Sequence, residues 1–222
     1  MAALPYRSLL YVPAHDADAL VAAYASGADA VVADLEDSVP AERKEEARRV
    51  VAAVLPGAAG AARLVRINAP DTGLSEDDLA AIAELDLDAL VLPKATPDAV
   101  AALGSAGPPL IAVIESAAGL RQAYEVAAAP RVAALALGAF DLAVDLRLER
   151  RPDALELLYA RSKLVVDSAA AGVRAPFDRA FPNLDDAAGL EADAVFAHSL
   201  GFGGKNCTHA SQPLVVNRVF PR

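Results

Sequence analysis

The chain has no tryptophan, one cysteine, one methionine and three histidines among its 222 residues, and aromatic side chains make up only 5% of it. A single cysteine, Cys207, excludes an internal disulfide and fits a reducing compartment, so a cytoplasmic location is expected. Cys207 itself is expected to be buried and inert. His15, His198 and His209 show no zinc-ligand spacing. They read as hydrogen-bonded or surface residues. No apolar run approaches the roughly 18 to 20 residues of a membrane span, and MAALPYRS lacks the zones of a signal peptide. Long basic stretches are also missing, and the net charge of −10 argues against a nucleic-acid partner. An anionic small molecule needs only a local arginine or lysine. With no linker or low-complexity tract, one domain spanning 1–222 is expected.

What the chain does have is a hydrophobic fraction of 55%, dominated by Ala, Val and Leu, in repeated short runs. These are SLLYVP (8–13), AVVADLE (30–36), LVRIN (64–68), ALVLPK (89–94), PLIAVIE (109–115) and VAALALG (132–138), followed by the weaker APFDRAF (175–181) and GFGGKNC (201–207). Their inner residues are apolar without clean alternation, as in parallel strands covered on both faces. Helical patterns lie between them. Asp16 can cap ADALVAAYAS, with Gly27 as its stop, Ser75 and Asp78 have capping-box spacing, and Thr96 precedes Pro97. The longest helical pattern, 151–172, ends at Gly172. Eight strand-helix units of this kind close an α/β barrel, a (β/α)8 TIM barrel.

In such a barrel, chemistry sits where strands end. The polar residues found there are Glu36 and Asp37, Arg66 and Asn68, Lys94, Glu115, Asp141, and a last cluster of Lys205, Asn206 and His209. Glu115 and Asp141 each follow a wholly apolar strand, and a carboxylate emerging from one must meet a cation or hydrogen-bond donors. Acids at strand-to-helix turns also act as helix caps. Oxygen ligands without His or Cys favour Mg²⁺ or Mn²⁺ over zinc. Arg66 suits a substrate carboxylate or an enolate oxygen. In VVADLED, Asp34 and Glu36 share a face by the two-residue period, so at least one acid there must pair rather than catalyse. Lys94 can be read as a Schiff-base lysine or as the ion-pair partner of the surrounding acids.

RSLLYVPA, SGADAVVADLEDSVP, VRINAP, LVLPK, IAVIESAAGL, LALGAFDLAVDL and GFGGKNCTHASQ occur in this order from Arg7 to about Phe220. The ordered set resembles the citrate lyase beta subunit-like proteins of the HpcH/HpaI aldolase superfamily. The resemblance implies a TIM barrel assembled as a homotrimer or hexamer. It also implies Mg²⁺-dependent carbon-carbon cleavage of a 3-hydroxyacyl-coenzyme A, such as citryl-, malyl- or citramalyl-CoA, to an acyl-CoA and a 2-oxo acid. Carried over by motif, Glu115 and Asp141 bind the metal and the substrate held on it. Arg66 contacts substrate, with Glu36 and Asp37 supporting the site.

The chain departs from the family pattern at Phe140, where GAED is usual, at Ala14 in VPAH, and at Ala210, where HPSQ would place proline. Many relatives also continue into a C-terminal lid, whereas this chain stops at Arg222, so a lid-less barrel is expected. Two other readings follow: a Schiff-base aldolase using Lys94, and a non-catalytic or lyase-complex subunit that binds metal and 2-oxo acid.

Overall fold

Successive residues along most of the strands face two different apolar cores. The computed structural model describes residues 4–151 and 153–221. Its strands are β1 (Ser8–Pro13), β2 (Ala30–Asp34), β3 (Ala62–Arg66), β4 (Ala89–Leu92), β5 (Leu110–Ile114), β6 (Val132–Leu137), β7 (Arg174–Asp178) and β8 (Gly204–Cys207). They pair parallel in chain order, and β1 meets β8 to close the barrel. On β5, Ile111 and Val113 point into the barrel with Leu9, Val32, Leu64, Val91 and Phe177. Leu110, Ala112 and Ile114 point outward, under the helices. Both faces are therefore dry, which is why the sequence shows no alternation of polarity along these strands. Each fully buried Leu, Ile or Phe contributes about 1.5–3 kcal/mol.

The helices are α1 (Ala17–Ala23), α2 (Lys44–Val54), α3 (Ser75–Ile82), α4 (Pro97–Ala102), α5 (Ala117–Arg121), α6 (Ala123–Ala127), α7 (Ala139–Asp145), α8 (Leu158–Ala171), α9 (Ala187–Leu200) and α10 (Gln212–Val219). Asp16 caps α1 by accepting from Ala19 N at 2.9 Å, and Thr96 caps α4 by accepting from Ala99 N at 3.2 Å. Ser116 caps α5 in the same way.

Three expectations about helices change. The Ser75–Asp78 capping box does not form: Ser75 is the first residue of α3, its N-cap is Leu74, and Asp78 is taken by Asn68 and Arg48. The helix expected over 151–172 starts only at Leu158, after a 3-10 turn (Leu155–Leu157), because Ala154 adopts a left-handed φ of 53° that breaks the path. Pro152 lies outside the described residues. The first helix ends at Ala23 rather than running to Gly27, although Gly172 does close α8 with a φ of 70°.

Candidate active site

The inward period of three strands ends in charge. On β2 it runs Ala30, Val32, Asp34 and continues to Glu36; on β3 it runs Leu64, Arg66; on β5 it runs Ile111, Val113, Glu115. The register sets Asp34 directly across from Arg66. Arg66 donates to both oxygens of Asp34, Nε to Oδ1 at 2.7 Å and Nη2 to Oδ2 at 2.6 Å. Asp34 also accepts from the backbone N–H of Glu36 and Ser38 and from the Ser38 hydroxyl. Burial alone would raise the Asp34 carboxyl, but the bonds from Arg66 outweigh it and hold the group below its ordinary range.

The remaining nitrogen of Arg66, Nη1, lies 2.9 Å from Glu36 Oε2 and 3.5 Å from Asp37 Oδ2. One guanidinium thus serves three carboxylates. On one face, the Tyr11 ring centroid is 5.3 Å from Cζ, so the arginine is held against a ring as well as in its plane.

Glu36 is buried, and neither carboxylate oxygen has a hydrogen-bond partner. Its companions are the Arg66 charge and, 3.6 Å away, the Lys94 ammonium. Desolvation exceeds these attractions, and the carboxyl is pushed up to about 8. Glu115, also buried, accepts from the Lys94 backbone N–H at 2.7 Å. Burial, with the neighbouring Asp141 charge added, pushes it up to about 7. Lys94 makes this bond from a left-handed backbone, φ 47°, which is uncommon for a residue with a side chain.

Asp141 lies in the first turn of α7, half-buried, with no hydrogen bond or ion pair to any described residue. Burial and the charge of Asp37 raise its carboxyl. Gly138, immediately before α7, lets this turn approach: a Cβ there would sit 2.5 Å from the Cβ of Glu115 and nearer still to Oε2. Glu115, Asp141 and Arg66 line one cavity of about 750 Å³, whose outer wall includes Phe140, Arg150 and Phe181. Phe140 stands exposed at the rim with the Arg150 guanidinium over its ring, Cζ 5.1 Å from the centroid.

Of the residues singled out in the sequence, Glu36, Asp37, Arg66, Glu115 and Asp141 come together here. Asn206 also lines the cavity. Lys205 does not, because the period of β8 that turns Asn206 inward turns Lys205 outward. Its Nζ is buried between Asp178 and Asp193, at 2.6 Å from each. His209 is exposed and pairs with Ser211, and His198 is exposed against Phe220. Cys207 is buried, as expected, and burial pushes its thiol up to about 12. Tyr11 and Gly138 carried no sequence signal as site residues. Asp34 did carry one, since it shares the inward face with Glu36.

Among the described residues no group of three or more His, Cys, Asp and Glu is arranged to hold a metal. A cation at this mouth would have two protein carboxylates, Glu115 and Asp141. Such a donor set fits Mg²⁺, which keeps several water or substrate oxygens in its shell. Two acids with raised carboxyls, one of them unpartnered, are also groups whose ionisation a cation would favour.

The family described as HpcH/HpaI aldolase/citrate lyase matches residues 7–210. The chain belongs to this family. It is 37% identical to a (3S)-malyl-CoA thioesterase of Cereibacter sphaeroides, an alignment covering 97% of this chain and 77% of the relative. Among solved structures it resembles the citrate lyase beta subunit of M. tuberculosis complexed with oxaloacetate and magnesium, with a TM-score of 0.86, 31% identity, and coverage of 98% and 97% of the two chains. A further structure, of the CitE protein of Mycobacterium tuberculosis with magnesium, acetoacetate and coenzyme A, matches with the same score and identity over 98% of this chain and 82% of that one. The closed barrel is therefore the family's fold, and the acids described above stand at its mouth.

Proposed function

We infer that this chain is a Mg²⁺-dependent carbon-carbon lyase that splits a 3-hydroxyacyl-CoA into an acyl-CoA and a 2-oxo acid. The observation that carries this reading is the meeting of Glu115 and Asp141 with Arg66 in one cavity of a family member. Relatives in this family are described with magnesium, 2-oxo acid and coenzyme A. Glu115 and Asp141 would hold the metal, which when bound supplies positive charge that polarises the substrate oxygens.

The rest of the work falls to the protein. Arg66 presents fixed positive charge to developing negative charge at the cavity floor, and Asp34 and Tyr11 remove its freedom to move. The supporting roles expected for Glu36 and Asp37 match their contacts with Arg66. Because Arg66 already faces three carboxylates, a substrate carboxylate reaches it by displacing Asp37, the exposed and most distant partner. The cavity volume of about 750 Å³ suits a substrate larger than the 2-oxo acid alone.

The Schiff-base alternative has less support. The Lys94 side chain is exposed, and although burial lowers its tendency to hold a proton, Glu36, Asp37, Glu115 and Asp141 together raise it above the usual range. An imine-forming lysine needs the reverse.

The proposal includes a single catalytic domain over 1–222, a cytoplasmic location and a homotrimer or hexamer. No described helix is long and apolar enough to cross a membrane. Titrating Mg²⁺ with oxaloacetate, pyruvate or glyoxylate, with and without acetyl-CoA, tests the function. Binding of oxo acid that requires Mg²⁺, and condensation with acetyl-CoA, are expected. Oxo-acid binding without any condensation or cleavage would instead favour a non-catalytic subunit.

A further inference from the structure

The first residue of α2 is a lysine, at the end of the helix where the backbone dipole disfavours positive charge. Its side chain does not run out to solvent. Lys44 Nζ donates to Leu35 O at 2.6 Å, Glu36 O at 2.7 Å and Asn68 Oδ1 at 2.7 Å, so all three ammonium protons are used. Two of these acceptors are consecutive carbonyls of the segment that carries Glu36 and Asp37, and the third lies two residues beyond Arg66.

Asn68 is itself fixed. Its amide nitrogen donates to Leu35 O at 3.0 Å and to Asp78 Oδ2 at 2.6 Å, and its backbone N–H donates to the same Asp78 oxygen at 2.7 Å. Arg48, one turn along α2 from Lys44, holds the other oxygen of Asp78 at 2.7 Å. Helices α2 and α3 are thereby tied to the ends of β2 and β3 through one chain of mostly charge-assisted bonds, buried at Asn68 and part-buried at Lys44 and Arg48.

We propose that Lys44 is a positioning residue for the active site, holding the backbone of residues 35 and 36 so that the Glu36 carboxylate faces Arg66 and Lys94. The Glu36 side chain has no hydrogen bond of its own to fix it. Apart from its ion pairs with Arg66 and Lys94, its position comes from its backbone, which is held by the Asp34 side chain at the Glu36 N–H and by Lys44 at the Glu36 carbonyl. The ammonium acts through Glu36 and does not line the cavity.

This inference rests on the lyase reading for its kinetic test but not for its structural one. In Lys44→Met, kcat for carbon-carbon cleavage of the acyl-CoA should fall on the order of 10- to 100-fold, as when an outer partner of a site ligand is lost, with KM much less affected. Ethylammonium should partly restore kcat to Lys44→Ala by refilling the same pocket, a response that a general loss of stability would not give. Amide exchange, which needs no turnover, should speed up over 35–38 in Lys44→Met while the barrel strands stay protected.

Wild-type kcat in Lys44→Met, or unchanged exchange over 35–38, would overturn the proposal. If the wild-type chain neither binds Mg²⁺ nor releases a 2-oxo acid from the acyl-CoA, the lyase reading falls, and the exchange measurement alone decides the role of Lys44.

Discussion

Arg66 is bound to Asp34 through both nitrogens of one edge, Nε at 2.7 Å and Nη2 at 2.6 Å, from directly opposed positions on β3 and β2. The pair is a fixed mount: Asp34 is 1% exposed and also accepts from the loop that carries Glu36. Replacing Asp34 with Asn keeps the shape but leaves Arg66 without its principal counter-charge. Removing one partner of such a buried pair costs about 3–5 kcal/mol. Urea unfolding of Asp34→Asn should show a loss of that size together with a strong fall in kcat. A variant of wild-type stability would show that Glu36 and Asp37 suffice to hold the arginine.

Gly138 is required by space rather than by backbone angle. A methyl group there overlaps the Glu115 side chain and crowds Val113, and Glu115 is held in place by its bond from Lys94 N. Gly138→Ala should lower Mg²⁺ affinity at least on the order of tenfold by displacing the carboxylate, at a stability cost of about 1–3 kcal/mol for overpacking. Calorimetric Mg²⁺ titration measures the first and thermal unfolding the second. Unchanged affinity would move Glu115 away from the metal.

The raised acids set a pH dependence with a definite sign. Unfolded glutamates lose their protons near 4.5, whereas folded Glu115 and Glu36 keep theirs to about 7 and about 8 because burial disfavours the charged form. Between those limits the folded chain binds more protons than the unfolded one, so these two groups make metal-free stability fall as pH rises through the window. With Glu115 as the proposed ligand, Mg²⁺ would take it up ionised, so its affinity should increase through pH 7 and its stabilising effect should be largest at the alkaline end. Thermal melts at several pH values, with and without Mg²⁺, test this. A Mg²⁺ affinity that does not change with pH across the window would contradict it.

Stability also depends on a second charged group, outside the barrel wall. Asp178 receives Arg161 at 3.1 and 2.7 Å and Lys205 at 2.6 Å, all three side chains fully buried. Burial raises the Asp178 carboxyl, but Lys205 and Arg161 overcome that and hold it low. Asp178→Asn strands two buried cations with Asp193 alone and should cost about 3–5 kcal/mol. The Mg²⁺ affinity of the folded variant should be that of the wild type, since the cluster faces α8 and α9 rather than the cavity. A variant that unfolds at the wild-type denaturant concentration would contradict this.

The order and number of the strands were legible because each is a short apolar run bounded by turns. The seventh and eighth were less so: Gly204 and Lys205, for example, do not read as a strand and form one only by pairing with β1 and β7. Glu115 and Asp141 were legible as acids ending apolar runs. Lys205 was misplaced among the site residues because position at a strand end does not say which face a side chain takes. Counting by two from Phe177 on β7 or Asn206 on β8 would have turned Asp178 and Lys205 outward. The Ser75–Asp78 box failed for a different reason: Asp78 is claimed by Asn68 and Arg48, partners distant in sequence that a local pattern cannot reveal. The same non-local character hid the Arg66–Asp34 bond and the clearance at Gly138.

The most direct test is 2-oxo acid release from citryl-, malyl- and citramalyl-CoA by the wild-type chain, Glu115→Gln and Asp141→Asn, with Mg²⁺ present and after chelation. The account predicts that at least one thioester is cleaved by the wild type only with Mg²⁺. It also predicts that each variant loses this activity while unfolding as cooperatively as the wild type. Cleavage that survives chelation, or wild-type turnover in either variant, would contradict it.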